Sequence, residues 1–340
     1  MAGGGGRISV AFDRRVVAAA GLGCFIVPFA VYLATLAPTL SWRNEGRDGG
    51  DLISAICTLG IPHPPGYPLY TLLGKLFSTL PLGDVAYRIN LMSAFFGAAA
   101  VAAVFLCQVS LWRREPHEGS RGRAGLALAL VPAVIGGLAF AFSRTFWSQA
   151  TIAEVYTLGA LLNGLALLLV LGSPSSAERP RAAYLIALGT VAGLSLGHHL
   201  ANSLWLVACG TYLVLRRPAW LWRPRTVAML AGGLALGLAP YLYLPVRAAA
   251  HPAANWGDPQ TLAGFLWVVT AEPYRGLAFG MPLDQAMGRI PALAGLLVQQ
   301  FNWLGVALGL TGIWAAVRAG PAFLAFSLLA FLSSVAYAEG

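Results

Sequence analysis

The sequence predicts an all-α integral membrane protein, a polytopic helical bundle of about nine spans. Of its 340 residues, 58% are hydrophobic and only 10% are charged, whereas ordinary soluble domains hold about 45–50% and about 25%. The mean hydropathy is +0.70. Apolar stretches of about twenty residues, the length that crosses a bilayer, recur along the whole chain. This composition excludes soluble enzymes, disordered chains and nucleic-acid-binding modules.

The predicted spans follow one another through the chain, and their number is nine, give or take two. They cover residues 16–37, 86–112, 124–142, 153–172, 182–200, 201–215, 226–246, 291–317 and 321–338. The first span resembles a signal peptide, but Pro38 follows it, and proline is a poor residue after a cleavage site. We therefore expect an uncleaved first span and a single transmembrane domain over residues 1–340.

The charged residues predict the orientation of the bundle. With the N-terminus in the cytoplasm, the cytoplasmic segments carry 14 basic and four acidic residues, and the outer segments carry eight and nine. Such an excess of arginine on one side is what the positive-inside rule expects. The outer face then receives two long connections, residues 38–85 and 247–290. Long polar loops on one side of a scaffold are where chemistry is usually carried.

The first outer loop contains two carboxylates just before a short apolar helix. Asp48 and Asp51 flank two glycines, and Leu52 to Leu59 follows with apolar residues at helical spacing. Asp51 then falls in the first turn of a helix at the membrane surface. Either it caps that helix, or it works together with the carboxylate of Asp48 three residues earlier.

A proline-rich link and a second short helix complete this loop. Four prolines surround His63, so its side chain is held in a fixed direction. His63 either contacts phosphate or sugar hydroxyls or belongs to a simple helix-breaking connector. Leu69 to Leu80 is too short to span the bilayer and is predicted to be an interfacial helix. Its Lys75 either neutralises a lipid phosphate or snorkels to the headgroups.

Several motifs in order along the chain resemble one family of polytopic glycosyltransferases. That family includes the animal protein O-mannosyltransferase acting on plexin-type receptors, as well as bacterial members. The motifs are Pro38-Thr39, Asp48-Gly-Gly-Asp51, Leu59 to Tyr70, Arg88-x-Asn90-x-x-Ser93, Thr145 to Leu158, Gly193 to Asn202 and Tyr241 to Leu262. One departure is visible, because the family usually has Trp-Asp-Ser-Gly-Glu where this chain has Arg47-Asp48-Gly49-Gly50-Asp51. The second carboxylate is therefore one methylene shorter.

The resemblance implies a fold of GT-C type and a sugar donor linked to polyprenyl phosphate. A hexose, mannose in the named relative, would pass to a hydroxyl, such as Ser or Thr of an exported protein, by inverting attack. The resemblance places the catalytic base in the first outer loop, with Asp51 as our first choice and Asp48 close behind. A glycan or lipid acceptor, and a non-enzymatic transporter or flippase of lipid-linked sugar, remain alternatives. The implied location is the inner (plasma) membrane with the active site on the outer, periplasmic face, and family members are expected to continue beyond Gly340.

The remaining candidate residues are ionisable or aromatic groups at the membrane edge or in the outer loops, where burying a charge without a role is costly. For the donor phosphate they are Arg247, His63, Lys75, His198 and His199. For the sugar or acceptor pocket they are Glu154, Tyr156, Trp147, Trp256, Asp258 and Tyr274. Each has a structural alternative: Arg247 and the aromatic residues suit a membrane interface, the paired histidines suit a helix end, and Glu154 suits a helix start.

The sequence implies no cofactor. It has no Asp-x-Asp pair, histidine cluster or glycine-rich phosphate loop, so a nucleotide-sugar donor and a strongly bound metal are not predicted. A weak divalent-metal site at Asp48 and Asp51 is left open. The predicted partners are a polyprenyl-phosphate-linked sugar, an acceptor protein or glycan, and the lipid bilayer, but no nucleic acid.

Overall fold

The computed structural model describes residues 13–113, 122–174, 179–216, 218–276 and 282–339. Within these ranges the chain forms fifteen α-helices and no β-strand, which confirms the all-α class. In chain order, α1 to α15 are Arg14–Ala34, Gly49–Thr58, Pro68–Ser78, Val85–Trp112, Gly122–Ala141, Arg144–Ala150, Tyr156–Leu171, Ala182–His198, Asn202–Leu215, Pro224–Leu238, Tyr243–Ala248, Leu262–Val269, Leu283–Gly288, Ile290–Ala319 and Pro321–Glu339.

Each of the nine predicted spans coincides with a helix. Among the described residues, five helical segments are long and apolar enough to cross a membrane: α1, α4, α5, α14 and the continuous stretch from α10 through α11. The helices α7, α8 and α9 and the Pro321–Val335 part of α15 are also apolar but shorter, at 10–17 residues. The chain is therefore a multi-pass membrane protein.

Helix α4 forms the centre of the bundle and contacts α1, α5, α6 and α7. Its small residues let neighbours approach closely: a Cβ added at Gly97 would lie 3.1 Å from the Cβ of Ala150. The Tyr32 hydroxyl on α1 donates to the Ala141 carbonyl at the end of α5 at 2.8 Å. These contacts join α6 to α4 and the span α1 to the span α5.

Helices α8 and α10 lie backbone to backbone and run parallel. A Cβ at Gly189 would lie 2.3 Å from the Leu230 carbonyl oxygen, and one at Gly237 would lie 2.2 Å from that of Thr190. Small residues permit this close approach in membrane helix pairs. Residue numbers at the successive contacts rise together along both helices, so the helices point the same way. Their N-termini therefore lie at the same face of the bundle.

The first outer loop is fixed at both ends by residues of the Arg88-x-Asn90 motif. Arg88 donates to the carbonyls of Ser78, Leu82 and Gly83. Asn90 Nδ2 donates to the carbonyls of Ala37 at 2.8 Å and Thr39 at 3.2 Å. Both side chains stand on the first two turns of α4, so the loop is anchored to the central helix.

The two short helices predicted in this loop are α2 and α3. They pack so closely that a Cβ at Gly74 would overlap the side chain of Ile56. Leu52, Ile56 and Tyr70 are buried in the core cluster that the two helices share with α4 and α7. This packing places the N-terminus of α2 on the end of the bundle, where the candidate site lies.

Candidate active site

Asp51 lies in the first turn of α2 and accepts three hydrogen bonds. Its Oδ2 accepts from the backbone N–H of His63 at 2.9 Å and is 2.7 Å from the ring Nδ1 of the same residue. Its Oδ1 accepts from the Trp256 indole at 3.1 Å. The N-cap position of α2 is occupied by Asp48 instead. The side chain of Asp51 is thus a hydrogen-bond acceptor for His63 and Trp256 rather than a helix cap.

His63 lies between two carboxylates. While its Nδ1 faces Asp51, its Nε2 is 3.8 Å from Asp48 Oδ2. The side chain of His63 is only 13% exposed, against 48% for Asp48. Asp48 is therefore the member of this trio that solvent or a ligand reaches most readily.

The pKa values of this pair shift in opposite directions. Burial alone would lower the pKa of His63, but its hydrogen bond with Asp51 and the charges of Asp48, Asp51 and Glu154 raise it above its ordinary value. Burial would raise the pKa of Asp51, but the hydrogen bonds from His63, its charge and the Trp256 indole together lower it. Both shifts favour an imidazolium next to an ionised Asp51.

Glu154 is a buried carboxyl group between α6 and α7, two residues before the first residue of α7. It is 2% exposed, and Ser93 Oγ on α4 holds its backbone through contacts of 3.3 and 3.4 Å. Its Oε2 has no hydrogen-bond partner among the described residues. Burial, and then the negative charge of Asp48, raise the pKa of Glu154 to about 7.

Asp48, Glu154 and Tyr156 line one cavity of about 720 Å³. The other lining residues are Glu45, Arg47, Phe140, Ser143, Thr145, Phe146, Gln149, Gln300 and Phe301. The sequence prediction missed Gln149 and Gln300. A signal for Gln300 was present, because paired glutamines inside the apolar span 291–317 are the polar intramembrane residues that usually have a role.

Tyr67 connects the first loop to the paired histidines. Its ring centroid lies 5.2 Å from that of His63, 6.2 Å from His198 and 6.1 Å from His199. His198 is buried, and its Nε2 bonds to the Val155 carbonyl at 2.8 Å, so it supports the turn that carries Glu154. Tyr67 was not among the predicted site residues, since a tyrosine in a proline-rich link has no distinctive sequence signal.

His199 also faces this group of rings. Its ring centroid lies 6.2 Å from that of Tyr156, which lines the cavity. Its Nδ1 accepts a hydrogen bond from the backbone N–H of Ala201 at 3.1 Å, which orients the ring at the break between α8 and α9.

The second outer loop reaches the site through a backbone contact with the first. Ile61 N–H donates to the Ala254 carbonyl at 2.7 Å, and Trp256 N–H donates to the Ile61 carbonyl at 3.2 Å. Only glycine fits at position 60, because a Cβ there would lie 2.4 Å from the Ala254 carbonyl oxygen. This pairing is what brings the Trp256 indole onto Asp51.

Arg247 and Lys75 contact the opposite end of α2. Arg247 Nε donates to the Leu59 carbonyl at 2.7 Å and its Nη2 donates to that of Thr58 at 3.3 Å. Lys75 Nζ donates to the Cys57 carbonyl at 2.9 Å. Both cations complement the negative end of the helix dipole. They lie about 10 Å along α2 from Asp51, given the 1.5 Å rise per residue.

The other predicted pocket residues divide into two groups. Tyr274 lies within the electrostatic influence of the carboxylates: burial and then the charges of Asp48 and Asp51 raise its pKa. Asp258 instead accepts from Asn255 and Gln260, both at 2.9 Å, within its own turn. The Trp147 indole donates to Thr35 Oγ1 at 3.0 Å. The residues brought together are Asp48, Asp51, His63, Glu154, Tyr156, His198, His199, Trp256 and Tyr274, and those outside are Lys75, Trp147, Arg247 and Asp258.

Among the described residues, no group of three or more His, Cys, Asp or Glu side chains is arranged to hold a metal ion. Asp48 and Asp51 face His63, which offers them N–H groups rather than a shared cation. A weak metal role for the two carboxylates stays a prediction.

Residues 48–222 match the family model of the Protein O-mannosyl-transferase TMEM260 N-terminal domain. The match covers about half of the chain and includes Asp48, Asp51, His63 and Glu154. The chain belongs to the TMEM260 N-terminal domain family. This membership confirms the family resemblance inferred from the motifs. The TMEM260 segment holds most of the clustered residues, while Trp256 and Tyr274 come from beyond it.

Two relatives in the TMEM260 family are both named Protein O-mannosyl-transferase TMEM260. The mouse protein is 34% identical over 257 residues, which are 73% of this chain and 34% of the mouse protein. The Dictyostelium discoideum protein is 26% identical over 324 residues, which are 88% of this chain and 37% of that protein. The chain thus spans about a third of the length of each relative. No solved structure matches the chain.

Proposed function

We propose that this protein is a membrane glycosyltransferase that moves a hexose, mannose in the first instance, from a polyprenyl-phosphate-linked donor to Ser or Thr hydroxyls of exported proteins. One observation carries the proposal: Asp48 and Glu154 line the same cavity, and the His63–Asp51 pair stands directly behind Asp48. The names of the mouse and Dictyostelium relatives support the sugar and the protein acceptor. The predicted excess of arginine on one side supports an orientation in which that side faces the cytoplasm, across the inner membrane, and the cavity lies on the outer face.

The chemistry requires a base, because a neutral hydroxyl is a poor nucleophile. The acceptor oxygen bonds to the anomeric carbon, and the bond from that carbon to the donor phosphate oxygen breaks. The polyprenyl phosphate leaves as an anion, and the hydroxyl proton passes to a carboxylate of the protein. Attack opposite the leaving group inverts the anomeric configuration.

The contacts favour Asp48 over Asp51 as this base, which reverses the preference drawn from the sequence. Both oxygens of Asp51 are occupied by His63 and Trp256, and its lowered pKa makes it a weak proton acceptor. Asp48 is half exposed and lines the cavity. Asp51 is then a positioning residue that orients His63, whose Nε2 stands 3.8 Å from Asp48 Oδ2.

The contacts also rank the candidates for the donor phosphate. Arg247 and Lys75 already bond to carbonyl groups at the end of α2. The His199 ring lies 6.2 Å from that of Tyr156, which lines the cavity, and of these candidates we place it nearest to the leaving phosphate. Glu154, whose pKa is raised to about 7, keeps a proton at a higher pH than an ordinary carboxyl group does and can then donate to a sugar hydroxyl.

The test is sugar transfer by the purified full chain in lipid nanodiscs, with a polyprenyl-phosphate mannose donor and a Ser/Thr peptide. Asp48→Asn should lower kcat by about 10²–10⁴-fold, the usual contribution of a general base, with donor binding unchanged. Asp258→Asn is the matched control and should transfer normally, because Asp258 lies outside the cluster. Normal turnover by Asp48→Asn would reject Asp48 as the base.

Two further measurements separate the alternatives. Mass spectrometry of exported proteins from a deletion strain should show loss of a peptide-linked hexose; loss of a hexose from glycans alone would favour a glycan acceptor. Reconstitution in proteoliposomes should show transfer. Movement of the lipid-linked sugar between leaflets without transfer would favour a flippase.

A further inference from the structure

A second, basic cavity of about 440 Å³ lies at the other end of the bundle. It is lined by Arg179, Arg223 and Arg225, together with Pro180, Ala182, Leu185, Trp220, Thr226 and Met229. These residues surround the N-termini of the parallel helices α8 and α10. The 17 residues of α8 separate them from His198 and the carboxylate cluster by about 25 Å at 1.5 Å per residue.

Both helix N-termini favour an anion. Neither α8 nor α10 has a side-chain cap or an acidic residue in its first turn among the described residues. The first N–H groups of a helix lack intrahelical partners and carry the positive end of the helix dipole. Three arginines add their charges to these two helix ends.

Trp220 gives an independent indication that a ligand belongs in this cavity. Its side chain lines the cavity and is fully buried, and its indole Nε1 has no hydrogen-bond partner among the described residues. Buried indole N–H groups usually have an acceptor. Within the same described ranges, the three arginines form no ion pair. The cavity therefore holds three cations without an ion-pair partner in the described chain, and its wall includes one buried indole whose N–H lacks an acceptor.

An apolar groove of about 470 Å³ adjoins the basic cavity. Residues 220–227 contribute to both of them. Trp220 and Arg223 line the cavity. Leu221, Trp222 and Val227 line the groove. The groove continues between α7, α8, α9 and α10 along residues such as Val170, Leu188 and Leu213. A basic cavity whose lining residues alternate along the chain with those of an apolar groove matches the two parts of an anionic lipid.

We propose that the basic cavity binds the headgroup phosphate of an anionic glycerophospholipid, with an acyl chain lying in the groove. The guanidinium fork matches phosphate oxygens, and basic pockets between membrane helices bind anionic headgroups. The groove favours a lipid over a free phosphate ion. This site is independent of sugar transfer, since α8 separates it from the carboxylates.

Calorimetry with the full chain in a neutral detergent tests the headgroup. Dihexanoyl phosphatidylglycerol should bind at least tenfold more tightly than dihexanoyl phosphatidylcholine or inorganic phosphate. Arg223→Gln combined with Arg225→Gln should lower that affinity at least tenfold, and lysines at both positions should restore part of it. Arg15→Gln combined with Arg318→Gln removes the same charge outside the cavity and should change nothing. Trp220→Phe keeps the ring, removes the donor and should weaken binding several-fold.

Two glycines provide a matched test of the groove. Gly210 lines the groove, and neither it nor Gly232 on α10 has an atom within 4 Å of an added Cβ among the described residues. Gly210→Leu should weaken binding of dihexanoyl phosphatidylglycerol but not that of glycerol 3-phosphate, and Gly232→Leu should affect neither.

Four results would overturn the proposal. Unchanged phosphatidylglycerol affinity in the Arg223/Arg225 double variant would show that the lipid binds elsewhere. Equal affinity for phosphatidylcholine would remove the headgroup preference. Equal affinity for inorganic phosphate, or no effect of Gly210→Leu, would reduce the site to an ion site.

Discussion

His63 makes two contacts with a single oxygen of Asp51, one through its backbone N–H and one through its ring Nδ1. The two contacts fix both the position of the loop and the direction of the imidazole. The opposite ring nitrogen is thereby held 3.8 Å from Asp48 Oδ2. Asp51 consequently influences Asp48 through the histidine, although the two carboxylates make no direct contact.

Asp51→Asn should lower the pKa of His63, because burial is then no longer opposed by the adjacent negative charge. The measurement is an NMR titration of histidine-labelled protein, with the His63 signal assigned from His63→Gln. We also expect kcat to fall less than in Asp48→Asn and its pH profile to change shape. An unchanged His63 titration in Asp51→Asn, with Asp258→Asn as control, would contradict this coupling.

Glu154 should make the fold less stable as the pH rises. Its pKa is raised to about 7 from an ordinary value near 4.5, so the folded state holds a proton that the unfolded state has lost. The resulting stability is present at low pH and disappears as the pH passes 7; between pH 6 and 8 the loss is about 1 kcal/mol. Because the pKa of His63 is also raised in the folded state, loss of its proton likewise lowers the stability of the fold as the pH rises.

The comparison of wild type with Glu154→Gln isolates this effect. Thermal unfolding in nanodiscs should show a smaller decrease in Tm between pH 6 and pH 8 for Glu154→Gln than for wild type. Glu45→Gln, at a side chain that is 80% exposed, should behave like wild type. Equal pH dependence of Tm in all three proteins would argue against a proton on Glu154.

Gly60→Ala should separate the two outer loops. The added Cβ would overlap the Ala254 carbonyl oxygen, and overpacking of this kind costs about 1–3 kcal/mol. We expect a lower kcat and faster proteolysis of the second loop, because Trp256 leaves Asp51. Gly50→Ala in the same loop meets nothing within 4 Å among the described residues and should leave both properties unchanged. Equal behaviour of the two variants would show that the backbone pairing is dispensable.

Gly237→Ala should weaken the α8–α10 pair. Its Cβ would lie 2.2 Å from the Thr190 carbonyl oxygen, whereas Gly232 on the same helix is free of such contacts within the described chain. A decrease in stability of about 1–3 kcal/mol is expected for Gly237→Ala and no decrease for Gly232→Ala. Thermal unfolding of the two variants in the same detergent provides the measurement. A Tm for Gly237→Ala equal to that of Gly232→Ala would contradict the backbone contact.

Local signals were enough to predict the spans and the two surface helices of the first loop. Hydropathy is a property of about twenty consecutive residues, and the prolines around His63 separate α2 from α3 in the sequence itself. The burial of Glu154 required a contact from Ser93, 61 residues earlier in the chain. Such distant contacts leave no trace in a single sequence, and so the pKa of Glu154 was not predictable.

The sequence also gave no means to distinguish cations that bind phosphate from cations that bind backbone. The positions of Arg247 and Lys75 in the sequence suit both roles. Their actual partners are backbone carbonyl oxygens, which every residue possesses and which no sequence pattern marks. Asp51 and His63 were both selected as candidates, but their mutual bond depends on the turn that α2 makes into the proline-rich link.

The bond between Trp256 and Asp51 has a consequence for biogenesis. The two residues are 205 positions apart, and translation proceeds at about 5–20 residues per second. The first loop is therefore synthesised roughly 10–40 seconds before the Trp256 indole that covers Asp51. During that interval the carboxylates stand without the second loop, so a newly made chain is expected to acquire activity only after several later helices have entered the membrane.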